Sequence, residues 1–190
     1  MATSYLDRDE LIRVAAGVAD RDGWIGLTMS SVAKEVDRHV TSLYGHVDGL
    51  DGLRREVRVL ALGELGDLCW EAALGRTRDD ALVALLDVYR GYMRDHPGRS
   101  EALQAVDVAD AEIARLGLRV AEPFFATLRS YGLDERAALQ AQQIISVSVR
   151  GFGISEGSGR FGSRKAADAT FTQLRALFLT ALGNGAWPAG

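Results

Sequence analysis

Residues 27–53 read LTMSSVAKEVDRHVTSLYGHVDGLDGL, and this stretch decides how the N-terminal part of the chain folds. Thr28 is a helix-capping residue whose hydroxyl can accept from the backbone N–H of Ser30 or Ser31, so a helix is expected to start at Met29. Met29, Val32, Ala33 and Val36 recur at helical spacing and form an inward face. Asp37 closes this helix at a position expected to be left-handed, a conformation that Asp tolerates better than most residues other than Gly and Asn. A second helix is expected over residues 39–46.

The second helix is unusual in what it exposes. With Val40, Leu43 and Val47 turned toward the first helix, Arg38, His39, Thr41, Ser42 and Tyr44 are left outside as a polar, hydrogen-bonding surface. Such a face suits a DNA groove. Arg can fork onto guanine, Thr and Ser can reach bases or phosphates, and Tyr and His can donate to phosphate oxygens at the rim. The candidate DNA-contact set is Thr28, Ser30, Arg38, His39, Val40, Thr41, Ser42, Tyr44 and His46. His39 and His46 lack a Cys or carboxylate at zinc-ligand spacing, so no metal site is expected.

The run 27–53, preceded by a first helix over 11–23, resembles the DNA-binding domain of the TetR family of transcriptional regulators. Thr28, Val32, Ala33, Val36, Leu43, Tyr44, His46 and Leu53 stand where that family's pattern places them, and the match covers roughly residues 8 to 60. The chain departs from the pattern with Asp37 in place of a usual Gly and Val47 in place of a Phe. Asp48, Gly49 and Asp51 occupy the region where the family often has a phosphate-touching Lys. The resemblance implies a helix-turn-helix head over 1–49 and a ligand-binding and dimerisation domain over 50–190, in an all-α chain of about nine helices.

The head is not basic. Residues 1–55 hold seven Lys or Arg against nine Asp or Glu. Phosphate neutralisation supplies nearly all non-specific DNA affinity, so weak non-specific binding and a reliance on a dimer are expected.

The whole chain of 190 residues carries a net charge of −4 and is 47% hydrophobic, the balance of an ordinary globular protein. Its single cysteine, Cys69, excludes an intramolecular disulfide and fits a reducing cytoplasm; a packed position beside Leu68 is expected for it. No apolar run approaches the ~20 residues of a membrane span. The acidic N-terminal stretch with Asp7, Asp9 and Glu10 does not read as a signal peptide.

Beyond residue 50 the chain reads as helical, with three prolines in all and apolar residues at three- and four-residue steps. Helices are expected over 50–73, 78–94 with Thr77 as cap, 100–106 after a stop at His96-Pro97-Gly98, 109–131 ended by Gly132, 135–156 capped by Asp134, and 165–182. Pro123 is expected to kink or split the seventh. Gly157-Ser158-Gly159 and Gly162-Ser163 mark a loop. The run IISVSVRGFGISEG is similar to the C-terminal domain of TetR-family regulators with a Trp-x-x-x-His-Gly signature, with Ser146 and Arg150 in the Trp and His places and Gly151 matching.

Polar residues inside an apolar helix are costly to bury without a partner, so Ser146, Ser148 and Arg150 either line a cavity or sit at a subunit interface. The candidate ligand-binding set is Trp70, Tyr89, Tyr92, Phe124, Phe125, Gln142, Ser146 and Arg150, where Arg150 favours an anionic ligand; plain core packing is the competing reading of the aromatics. The candidate dimerisation set is Ile145, Phe171, Leu174, Leu177, Phe178 and Ala181, most of it one stripe of the ninth helix.

There is no nucleophile elbow and no phosphate-binding glycine loop, so no catalytic residue and no cofactor are expected. The resemblance implies a homodimeric repressor of a near-palindromic double-stranded DNA operator, released by a small-molecule effector. A ligand carrier or interaction module that has lost DNA binding is the alternative, with the acidic head as its argument.

Overall fold

The computed structural model describes residues 7–104, 109–185 and 187. Among these the chain is all-α, with nine helices and no strand. It divides into two compact units, the first running to Gly63 and taking in His96–Ala114, the second made of Glu64–Asp95 and the chain from Arg115 onward.

The first unit contains α1 (Arg8–Asp22), α2 (Met29–Glu35), α3 (Val40–Leu43), the start of α4 (Gly49–Ala73) and α6 (Pro97–Ala102). Leu11, Ala15 and Val18 of α1 pack with Leu27, Val32, Leu43, Leu53 and Val57 in one buried apolar cluster. Burial of a Leu or Val side chain contributes on the order of 1.5–3 kcal/mol, and this cluster holds three short helices that would not persist alone. The sixth helix differs from the expected 100–106: it begins earlier, at Pro97, and residues 105 and 106 of that expectation lie outside the described residues. Proline at the first helical position loses no hydrogen bond, and Asp20 of α1 accepts from the Arg99 backbone N–H at 2.9 Å, so His96-Pro97-Gly98 starts the helix. Gly98 is required there, because a Cβ would lie 2.0 Å from the Ala19 carbonyl oxygen.

The second unit contains the rest of α4, α5 (Arg78–Asp95), most of α7 (Ala111–Arg129), α8 (Glu135–Gly157) and α9 (Arg164–Gly183). Helices α5, α8 and α9 pack on one another. Asp134 caps α8 by accepting from the Ala137 N–H, as expected, and Ser163 caps α9 through Ala166. Arg90 of α5 is 8% exposed; it donates to both oxygens of Glu156 at 2.9 and 2.7 Å and to Asp168 at 2.7 Å, with the rings of Phe152 and Phe171 against its guanidinium.

Helix α7 is not split at Pro123. Proline removes the N–H that would pair with the carbonyl four residues earlier, that of Arg119, and this oxygen accepts instead from the Trp70 indole at 3.1 Å. Among the described residues no helix is long and apolar enough to cross a membrane.

Candidate nucleic-acid interface

Local chemistry sets the frame of the helix-turn-helix. At the start of α2 the Thr28 hydroxyl accepts from the Ser31 N–H at 3.0 Å, while the Ser31 hydroxyl accepts from the Thr28 N–H at 2.9 Å, a reciprocal cap that satisfies two backbone donors. At its end the Asp37 N–H donates to the Lys34 carbonyl at 3.3 Å and the Arg38 N–H to the Ala33 carbonyl at 2.9 Å, with Asp37 left-handed at φ 51°. This double bond pattern is a helix stop usually built with glycine, and Asp fills it here as expected.

The second helix is shorter than 39–46. Helical geometry is confined to Val40–Leu43, with His39 as its N-cap residue, and Tyr44, Gly45 and His46 form a turn. The His46 and Val47 N–H groups both donate to the Leu43 carbonyl, at 2.9 and 3.1 Å, which tightens the chain into a three-residue turn before α4.

Leu43 and Val47 are buried beneath this segment. Val40, placed in the contact set, is half-buried and packs against the apolar cluster, because it occupies the inward position one turn from Leu43. The Thr28 hydroxyl is engaged in the α2 cap. Ser30, His39, Thr41, Ser42 and Tyr44 are exposed, Tyr44 to 59%, and Arg38 and His46 are half-buried. The Ser42 hydroxyl donates to the His39 carbonyl at 2.7 Å, so its presented function is that of an acceptor.

Several cations of this unit serve its own structure. Arg54 donates to the Trp24 and Leu27 carbonyls at 3.4 and 3.3 Å, Arg21 pairs with Asp22 and Glu35, and Arg8 and Arg55 join a carboxylate network. Lys34 and Arg13 remain exposed. Among the described residues no cluster of His, Cys, Asp or Glu is placed to hold a metal ion.

In the second unit Tyr89 of α5 is 6% exposed and meets the Phe124 ring edge-on at 6.1 Å. Burial raises the Tyr89 phenol above its ordinary range, against the opposing effects of the Arg150 charge and a hydrogen bond with Ser146. Four residues of the ligand-binding set, Tyr89, Phe124, Ser146 and Arg150, therefore share one neighbourhood, with Cys69 beside Tyr89. Tyr92 is buried and donates to Glu64 at 2.9 Å; Phe125 and Gln142 are half-buried; Trp70 lies at the surface, 44% exposed. Burial pushes the Cys69 thiol up to about 12, which removes the thiolate that a redox sensor needs.

A family model described as the tetracyclin repressor-like C-terminal domain matches residues 82–178. The HTH-type transcriptional regulator Rv0681 of Mycobacterium tuberculosis is 33% identical over 171 residues, covering 89% of this chain and 78% of that one. The chain belongs to the TetR family of transcriptional regulators. Solved structures of the family share its fold: a TetR variant from Acinetobacter baumannii in complex with minocycline has a TM-score of 0.74 at 15% identity, covering 97% of this chain and 100% of that one. ActR of Streptomyces coelicolor in complex with actinorhodin has a TM-score of 0.71 at 19% identity, with the same coverage. The family is one of transcriptional regulators, not of enzymes.

The residues expected at a dimer face fall into two groups in the structure of this TetR-family regulator. Ile145, Phe171 and Phe178 are 1%, 3% and 7% exposed within the single chain and fill its own core. Helices α5, α8 and α9 form a bundle whose interior claims the larger aromatic stripe of α9. Leu174 and Ala181 are half-buried, and Leu177 is 68% exposed. Sequence reading missed the outward stripe of α8, where Ile144, Val147 and Ile154 are 50%, 64% and 54% exposed, with Gly151 exposed between them. Their spacing of three and seven residues is a helical signal, but it runs beside the equally periodic inner stripe of Ile145, Val149 and Phe152. The network around Arg55 was also missed, since its members are too far apart in sequence to leave a pattern.

Proposed function

We propose that this protein is a homodimeric repressor working in the cytoplasm, whose two heads read a near-palindromic double-stranded DNA operator and whose second unit takes a small-molecule effector that releases it. The observation that carries this reading is the exposed polar set His39, Thr41, Ser42 and Tyr44, seated on a buried Leu43 and Val47 at the end of a doubly capped α2. Thr41 and Tyr44 contact the operator, with Lys34 and Arg38 on phosphates at the margin. Pairing runs through Ile144, Val147, Ile154 and Leu177, apolar side chains that water would otherwise cover. Heads so paired meet successive major grooves about 34–36 Å apart.

Minocycline on TetR and actinorhodin on ActR support an effector role for the second unit. Arg150 beside Tyr89 and Ser146 favours an effector with an acidic group. Such an effector acts only through tighter binding to the state with the heads apart than to the DNA-bound state.

The test is an anisotropy titration against the DNA flanking the protein's own gene, at two salt concentrations and with competitor DNA. Competitor-resistant binding that weakens with salt is expected. Failure of a folded dimer both there and in selection from random DNA would leave a ligand carrier, the reading that the acidic head favours.

A further inference from the structure

Within the first unit, one hydrogen-bonded path joins the first turn of α7 to the end of the DNA-reading segment. Asp110 caps α7, accepting from the Glu112 and Ile113 N–H groups at 3.0 and 3.2 Å. The Arg55 guanidinium grips that carboxylate with two nitrogens, at 2.5 and 3.1 Å, and also donates to Glu112 at 2.8 Å. Its third nitrogen donates to Glu56 Oε1 at 2.8 Å. The other Glu56 oxygen takes Arg8 at 3.0 Å, and Arg8 Nε donates to the His46 carbonyl at 3.3 Å. Glu56 thus serves two arginines, one oxygen each.

We propose that Arg55 is a positioning residue for DNA recognition, setting the end of the segment that carries Tyr44 and His46 through Glu56 and Arg8 according to where the first turn of α7 lies. This rests on the DNA-binding reading for its use, not for its geometry. The argument is one of competition. A guanidinium has a planar fork and makes its strongest contacts as parallel pairs with one carboxylate. While Asp110 holds two of its nitrogens, Arg55 takes only one oxygen of Glu56 and leaves the other to Arg8. If Asp110 moves away or loses its charge, the freed Arg55 Nε is released from α7, Arg55 turns a second nitrogen onto Glu56 and displaces Arg8, and Arg8 leaves the His46 carbonyl. A lysine at 55 cannot hold both carboxylates in this way.

Asp110→Asn is the informative variant, because Asn caps a helix as well as Asp does and α7 keeps its start. Amide hydrogen exchange of the full chain reads the His46 and Val47 N–H groups directly, without DNA. Asp110→Asn and Arg55→Lys are both expected to speed exchange there several-fold, as Arg8→Gln does, while amides of α1 near Ala15 and Val18 keep their protection. The Arg8→Gln, Asp110→Asn double variant is expected to exchange no faster at these amides than Arg8→Gln alone, since both cut one path. Unchanged exchange at His46 and Val47 in Asp110→Asn, additive effects in the double variant, or an equal rise throughout α1 would each overturn the proposal. A path confirmed by exchange in a protein that selects no DNA would leave the relay standing and remove the DNA-binding reading instead.

Discussion

The Trp70 indole N–H donates to the carbonyl oxygen of Arg119 at 3.1 Å, replacing the helical donor that Pro123 lacks. A side chain on α4 thereby lets α7 run unbroken through a proline, and it gives Trp70 a structural duty that pocket lining does not require. Trp70→Phe removes this donor while keeping an aromatic ring, and it is expected to cost about 0.5–1.5 kcal/mol. In a Pro123→Ala background residue 123 regains its N–H, so the same change is expected to cost much less. Urea unfolding of the four proteins measures both; equal costs in the two backgrounds would refute the substitution of one donor for the other.

The exposed residues of the recognition segment are expected to affect DNA binding without affecting stability. Thr41→Ala and Tyr44→Ala each remove a side chain that the fold leaves outside. Loss of a base contact weakens specific binding by about 1–3 kcal/mol, roughly 5- to 150-fold in Kd. Anisotropy with the selected operator, paired with a thermal melt, should show this weakening at an unchanged Tm. A normal Kd in both variants would move the contact surface elsewhere.

Arg90 and Glu156 are expected to dominate the polar contribution to the stability of the second unit. Their side chains are 10% and 11% exposed, so Arg90→Met leaves a buried carboxylate without its main partner and should cost about 3–5 kcal/mol. Asp168 is 53% exposed, and Asp168→Asn should cost no more than about 1 kcal/mol. Denaturant midpoints that rank the two variants the other way would show that water reaches this pair.

Asp110 gives the protein part of its acid sensitivity. The Arg55 guanidinium, with the backbone N–H groups of Ile113 and Glu112, pulls its carboxyl down to about 2. A carboxylate with a depressed folded pKa contributes stability that is complete above its unfolded pKa of about 3.9 and is lost as pH falls toward its folded pKa. The stability of the wild-type chain should therefore fall between pH about 4 and pH about 2 more steeply than that of Asp110→Asn. Parallel curves for the two proteins across that window would remove Asp110 from the acid response.

Assembly should depend on the outer stripe of α8. Val147→Glu places a charge on an exposed apolar position and is expected to give a folded monomer in sedimentation, with operator binding lost. Phe171→Glu, inside the chain's own core, should unfold the second unit instead. A dimer that survives Val147→Glu would place the pairing surface on another face.

Much of the head was legible because its signals are local. Thr28 and Ser31 lie three residues apart and close a cap by themselves, and α2 ends where the Asp37 N–H donates to the Lys34 carbonyl and the Arg38 N–H to the Ala33 carbonyl. The ends of α8 follow likewise from Asp134 and from the glycines after residue 156. The recognition helix was read too long because the same turn of Leu43 to Val47 satisfies helical spacing whether or not its hydrogen bonds tighten, and only the backbone path into α4 decides that.

The sequence by itself determined the start of α2 at Thr28 and its stop at Asp37, the start of α8 at Asp134, that the helices bury apolar stripes, and that Thr41 and Tyr44 stand on a polar face, since caps, left-handed stops and 3.6-residue periodicity act within a turn or two of chain. Tertiary structure alone decided which of two apolar stripes faces out. Ile145 and Ile144 are adjacent and chemically identical, yet one is 1% and the other 50% exposed, because α5 and α9 pack on only one side of α8. It also decided that Trp70 serves Arg119 and that Arg55 meets Asp110, contacts across 49 and 55 residues whose free energy depends on distance in space and leaves no trace in spacing along the chain.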